Sequence, residues 1–370
     1  MVLERLQRWA SRKTVWLSAW TVALVLAPMM LSSGSQSWHR DWHYFQHWAH
    51  VAQMAFLEGL PPDFNPWHCA GADLAANAQD LSLSPLFVFV LLFGPALGLR
   101  TACFVLVLLG SAGMTWSLRS RGSGALESWF AGAAWGLCVF VHVHISEGHV
   151  PFAGFALMPL VLGLYSEGLE KLGEKKRERA LIYFAASGLV LGNQLLFGGA
   201  YSFPFTSMVL ALAGAVYVIQ ARAWSPALSL GKVYLFALFI GAPKLLPVLE
   251  LVQRLPRSPL WTDSLSPSLL FDALFSRQVS TLGVSGHPYD WPEYSLYPGL
   301  CVLILAAVGA FIAAPIRSKE STKAERGGWM IACVFTLVGF WLMLGDISLG
   351  LRRLVALLPM VGDLQVPTRY

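Results

Sequence analysis

Charge is what this chain has least of. Asp, Glu, Lys and Arg make up 13% of its 370 residues, apolar residues make up 56%, and the mean hydropathy is +0.57. Ordinary globular domains carry about 25% charged residues, so this chain has too little polar surface to cover a water-soluble globule of its length. Cysteine is sparse too. Of five, only Cys69 falls in a long polar stretch, and Cys103, Cys138, Cys301 and Cys333 sit in apolar runs. That excludes a disulfide framework, and there is no CxxC pair to build a zinc or redox site. No internal repeat stands out.

Long apolar runs are what the chain has instead. A bilayer crossing needs about 20 mostly apolar helical residues. The runs that meet this lie at roughly 14–33, 99–118, 128–145, 152–166, 180–197, 203–220, 233–252, 297–314 and 329–345. The expectation is an all-α polytopic membrane protein of about nine transmembrane helices, forming one domain over 1–370. Segment 84–97 is apolar but short and holds Gly94 and Pro95, so it reads as an interfacial or re-entrant helix feeding the second span. Cytoplasmic loops retain Lys and Arg. With the N-terminus inside, the basic clusters at 5–13, 119–121, 171–179 and 317–326 fall on the cytoplasmic side, while the nine His and nine Asp fall outside or at outer span ends. The net charge of +5 is then a record of topology, and nucleic acid is not an expected partner. Run 14–33 is long for a signal-peptide core and no clean small-x-small site precedes Ser37, so it reads as a retained signal anchor.

The outer segments are unequal. Loops 34–98, 253–296 and 346–370 are long, and long loops of mixed composition tend to carry function. The first opens with Trp38-His39-Arg40-Asp41-Trp42-His43. Residues 41–57 have helical periodicity, with Trp42, Phe45, Ala49, Ala52 and Phe56 along one side, and Gly59 with Pro61-Pro62 ends the pattern. This predicts an amphipathic helix on the membrane surface, anchored by Trp38, Trp42, Tyr44 and Trp48. A short helix is expected near 267–277. The loops at 167–179 and 317–326 read as charged connectors.

Several pieces fall in a telling order. Asp41 is followed by Gly59-Leu60-Pro61, Asn65-Pro66-Trp67, Gly71, Asn77-Ala78-Gln79 and Ser84-Pro85-Leu86. Later come Glu147-Gly148-His149, Pro159-Leu160, Leu245-Leu246-Pro247, Glu293-Tyr294-Ser295 with Pro298-Gly299, and Val366-Pro367-Thr368-Arg369-Tyr370. In this order the chain resembles bacterial membrane glycosyltransferases of the C superfamily, in particular the YfhO-like group. The resemblance implies a multi-span helical fold whose first outer loop supplies a catalytic acid residue, with a polyprenyl-phosphate sugar as donor. Asp41 matches that position. Many relatives have a second carboxylate beside it, where this chain has Arg40 and Trp42, which leaves any divalent-metal dependence open. The implied partners are membrane lipid, the lipid-linked donor, and a glycan, lipid or protein acceptor. The implied location is the bacterial inner membrane with the site on the outer face. Because resembling chains continue into further spans, the natural protein is expected to extend past Tyr370.

The residues agree with that role. Sugar transfer with inversion needs a base for the acceptor hydroxyl and cationic donors for the departing phosphate. Asp41 is the candidate base. Arg40, Arg254, Arg257, Arg277, His149 and His287 are candidate phosphate partners, and Asp73, Gln79 and Glu147 are further candidate substrate-binding residues. Two rivals remain. His39, His43 and His47 are spaced i, i+4, i+8, with His50 three further on, as metal ligands on one helix face need; this is the basis of a metal-dependent membrane oxidoreductase. A non-catalytic lipid-linked glycan transporter or polymerase-associated protein is the other, hinted at by Lys244 between Pro243 and Pro247. A charge at the bilayer centre costs roughly 2.5–3.5 kcal/mol, so Lys244 is expected to snorkel outward by default or else to face a polar cavity.

Overall fold

The computed structural model describes residues 2–30, 41–68, 71–254 and 266–276, with 294, 302–305 and 307–308; for residues 2–12, 29 and 30 it describes the backbone only. Helices make up most of the described residues. They are α1 Val2–Met30, α2 Asp41–Leu57, α3 Val88–Ser120, α4 Ala125–Gly136, α5 Val139–Glu147, α6 Met158–Gly173, α7 Arg177–Leu196, α8 Ser202–Ala221, α9 Ser225–Arg254 and α10 Pro267–Phe275. Two 3-10 segments, Pro85–Phe87 and Val150–Leu157, lead into α3 and α6. A small antiparallel ribbon pairs β1 Phe64–Asn65 with β2 Ala72–Asp73, Phe64 opposite Asp73.

Five helical segments are long and apolar enough to cross a membrane: Pro85–Ser120, Ala125–Glu147, Val150–Gly173, Ser202–Ala221 and Ser225–Arg254. The chain is thus an all-α membrane protein, and among the described residues five of the nine expected runs coincide with helices of spanning length and apolarity. The apolar part of α1, Lys13–Pro28, is shorter. Helix α7 coincides with the expected run 180–197 but begins with Arg177-Glu178-Arg179 and carries Asn193 and Gln194 near its end. Run 329–345 and most of 297–314 lie outside the described residues.

The helices divide into two units. One comprises Met1–Leu137, His144–Thr206 and Gly231–Pro256; the other takes in Cys138–Val143, Ser207–Leu230 and α10. In the first, α1, α3 and α4 pack together on small and hydroxylated residues. Thr115 Oγ1 lies 2.7 Å from Ser18 Oγ, Trp129 Nε1 donates to Thr21 Oγ1 at 3.1 Å, and Gly132 leaves room for Thr115. Where lipid tails and side chains are equally apolar, such close approach and interhelical hydrogen bonding drive association. Helix α6 pairs with α7, where Ser187 Oγ donates to the Val161 carbonyl at 2.9 Å. In the second unit, α10 is capped by Ser266 Oγ, which accepts from Leu269 N at 3.2 Å, and it buries Leu269 and Ala273.

Two features position the segments before α3. The backbone breaks at Gly94, where φ is 76° and ψ 170°, a conformation open to glycine, and Pro95 then starts a fresh helical run without needing an N–H acceptor. The short piece before the break folds back so far that Gly98 meets the backbone of Phe89 and Val90. The separation expected between 84–97 and the span that follows is therefore present. Helix α2 has the expected bounds, but its aromatic face corrects the surface-anchor expectation. Trp42 is fully buried and Trp48 nearly so, and with Phe45, Ala49, Val51 and Ala52 they pack within the protein, so neither indole reaches lipid. Trp38 lies outside the described residues.

Candidate active site

Asp41 opens α2, where a carboxylate is favoured by the helix dipole. Its surroundings come from the far end of α5. Gly148, at φ 93°, lies so close that an added Cβ would fall 2.7 Å from the Asp41 carbonyl carbon. One residue on, Trp42 Nε1 donates to the Ile145 carbonyl at 2.8 Å. This docking brings His149 Nε2 to 3.3 Å from Asp41 Oδ2. The other imidazole nitrogen, His149 Nδ1, is 2.9 Å from His144 Nδ1, and His144 stacks on Phe152 at 4.0 Å. Both nitrogens of His149 are thus engaged. The ring is placed to orient the carboxylate, and it can donate to Asp41 whether neutral or protonated. Asp41 is 52% exposed and His149 17%, so the carboxylate is the member of the pair that meets water.

The remainder of the first loop wraps the same neighbourhood. Asn65 Nδ2 lies 3.2 Å from His47 Nε2, Asn77 Nδ2 donates to Tyr44 Oη at 3.1 Å, and the His68 ring packs 5.1 Å from Trp48. Asp73 Oδ1 accepts from Ala76 N at 2.7 Å and Asn77 Oδ1 from Gln79 N at 3.0 Å, the local bonds that shape turns. Gln79 Nε2 then donates to Tyr201 Oη at 3.3 Å. The Tyr201 ring lies 5.1 Å from Phe152, and His149 lies 5.6 Å from that same phenylalanine. Asp41 through His149, and Gln79 through Tyr201, are thereby linked to one aromatic wall around Phe152.

Behind that wall is a pair the sequence did not reveal. Lys244 Nζ lies 3.1 Å from Asp80 Oδ2 and 3.4 Å from the Leu74 carbonyl, and the same carboxylate oxygen accepts from Ser82 Oγ at 2.6 Å and Ser82 N at 3.2 Å. Outward snorkelling, the default expectation for Lys244, is therefore corrected. The ammonium turns inward because a counterion is waiting there, and a buried charge is tolerable when it is paired and hydrogen-bonded. Sequence reasoning also passed over Arg100, buried in α3 with its guanidinium 5.9 Å from the Trp42 ring centroid, a cation–π arrangement next to Asp41. Its only signal was an arginine at the start of an apolar run.

The other candidates are scattered. Glu147 ends α5, one residue before Gly148, and is half-buried. Asp73 is held in its local turn. Arg254 bonds Glu250 one turn earlier on exposed surface. His43 is exposed and His47 faces Asn65. Among the described residues, no group of three or more His, Cys, Asp or Glu side chains is placed to hold a metal ion. His39, Arg40, Arg257, Arg277 and His287 lie outside the described residues. No family model, curated protein or solved structure matches this chain, so the site is read from its own geometry.

Proposed function

We propose that the chain is an integral membrane glycosyltransferase that moves a sugar from a polyprenyl-phosphate donor to a cell-envelope acceptor on the outer face of a bacterial inner membrane. The observation that carries this reading is the Asp41–His149 pair: a water-accessible carboxylate at a helix start, oriented by an imidazole whose two nitrogens are both engaged. In the proposed step Asp41 takes the proton of the acceptor hydroxyl as that oxygen attacks the anomeric carbon. The bond from that carbon to the donor phosphate breaks, and the phosphate leaves with the electron pair. His149 holds Asp41 in place. Arg40, next in sequence to Asp41, or an arginine from 253–277 meets the phosphate charge. Gln79 and Glu147 offer hydrogen bonds to sugar hydroxyls.

The test is Asp41→Asn in protein reconstituted with a polyprenyl-phosphate sugar. The change keeps size and removes the base, so turnover should fall about 10²–10⁴-fold while donor binding survives. Near-normal transfer by this variant, with loss in Asp63→Asn, Asp73→Asn or Glu147→Gln, would move the base elsewhere. A transporter of lipid-linked glycans is the second reading, favoured by the buried Lys244–Asp80 pair beside the two prolines of α9. Sealed vesicles separate the two: a transporter moves the intact lipid-linked sugar across, and a transferase cleaves it.

A further inference from the structure

Burial of Trp42 and Trp48 takes two of the four expected aromatic anchors away from the lipid. A different set of side chains is exposed. Leu57 ends α2, Leu60 follows, Phe64 opens β1 and Trp67 lies in the turn after it; all four are more than half exposed. In a protein facing only water, four large apolar side chains within eleven residues would be a liability.

The patch continues into a surface that belongs to the membrane. Phe56, in the last turn of α2, packs 5.6 Å from Phe87, and Gln53 Nε2 donates to the Val90 carbonyl at 3.0 Å. The end of α2 is thereby fixed to the start of Pro85–Ser120, a segment apolar enough to cross a bilayer. The helical piece before the Gly94 break exposes Leu92 and Phe93. Hydrogen bonds brace the ribbon: Leu74 N donates to the Asp63 carbonyl at 2.8 Å and Trp67 N to Asn65 Oδ1 at 3.0 Å. Phe64 and Trp67 are thus presented on a braced turn.

We infer that the turn bearing Phe64 and Trp67, with Leu57 and Leu60, is a lipid-contacting element whose occupant is the acyl chains and glycerol region of the leaflet's own phospholipid. Charge sets its depth. Asp63 and Glu58 are exposed within the same stretch, and carboxylates do not enter the hydrocarbon centre cheaply, whereas tryptophan favours the interface. The turn therefore inserts shallowly, with the apolar side chains below the headgroups and the two carboxylates among them. This holds the first loop, and Asp41 with it, at the height where a lipid-borne substrate arrives. The contact itself depends on the membrane character of the chain and not on which reaction it performs.

The experiment is photo-crosslinking from single positions. The full chain carries p-benzoylphenylalanine in place of Phe64, Trp67, Phe93 or, as a water-exposed control, Lys175. It is reconstituted in vesicles of phosphatidylethanolamine and phosphatidylglycerol, irradiated, digested and weighed by mass spectrometry. Phospholipid adducts at positions 64 and 67 are expected at yields comparable with position 93 and at least several-fold above position 175. Lipid yield at 64 and 67 no higher than at 175, or adducts there of protein mass only, would overturn the inference. Loss of transfer activity in the Asp41 variants would leave these yields unchanged, so the two readings fail separately.

Discussion

Lys244 Nζ lies 3.1 Å from Asp80 Oδ2, with the lysine side chain wholly buried and the aspartate 3% exposed. The two residues are 164 positions apart, and their pairing pins α9 to the segment between α2 and α3. Removing one partner of a buried pair strands the other charge, at a cost of about 3–5 kcal/mol. Lys244→Met and Asp80→Asn should each destabilise strongly, while the double variant recovers most of the loss. Thermal unfolding in one detergent, read as a double-mutant cycle, measures the coupling; additive losses would mean that the pair contributes nothing as a pair.

Gly148 should tolerate no side chain. Its φ of 93° disfavours any L residue, and a Cβ would meet the backbone of Asp41 and Trp42. Gly148→Ala is expected to cost about 1–3 kcal/mol from backbone strain alone and to lower transfer further by displacing Asp41. An alanine variant with unchanged unfolding temperature and unchanged turnover would show that α2 does not dock as described.

His149 acts in the proposed reaction through Asp41. His149→Phe retains a ring against Phe152 and removes both nitrogens, so the fold should survive while turnover falls about 10²-fold, the scale of losing one group's orientation. The donor KM should change little. A pure rise in KM would instead make His149 a substrate contact.

Orientation has its own check. The basic residues Lys171, Lys175, Lys176, Arg177 and Arg179 cluster where α6 gives way to α7, and Lys175 is exposed. The positive-inside rule predicts a cytoplasmic location for this turn. Lys175→Cys should react with an impermeant maleimide only after the membrane is opened. Labelling in intact cells would reverse the topology and put Asp41 on the cytoplasmic side.

Local signals in the sequence were read correctly, and partnerships between distant segments were not. The bounds of α2 follow from its periodicity and from the Gly59 and Pro61-Pro62 stop, and the break before α3's main run follows from Gly94-Pro95. Periodicity does not say what α2's apolar face meets, because lipid and protein interior are equally apolar; it points Trp42 and Trp48 to the membrane, and the structure buries them in protein. Asp41 and His149 were each chosen, one from its place after the first span and one from a short motif. Their 3.3 Å approach depends on α2 docking at the end of α5, which no local pattern encodes. Lys244 stands out as a charge in an apolar run, but its counterion lies 164 positions away, beyond the reach of any local pattern.

The 3-10 segment Val150–Leu157 sets an angle as well as a path. A 3-10 helix turns about 120° and rises about 2.0 Å per residue, against about 100° and 1.5 Å in an α-helix. Over its eight residues the difference amounts to about 160° of rotation and about 4 Å of length. Relaxing it to α would swing His149 to the opposite azimuth relative to α6 and away from Asp41. The tighter winding is held from outside: Gln194 Nε2 donates to the Gly154 carbonyl and Trp135 Nε1 to the Ala156 carbonyl, each at 2.9 Å. Two side chains from α7 and α4, neither near the carboxylate, thus act as the set-screws of its imidazole.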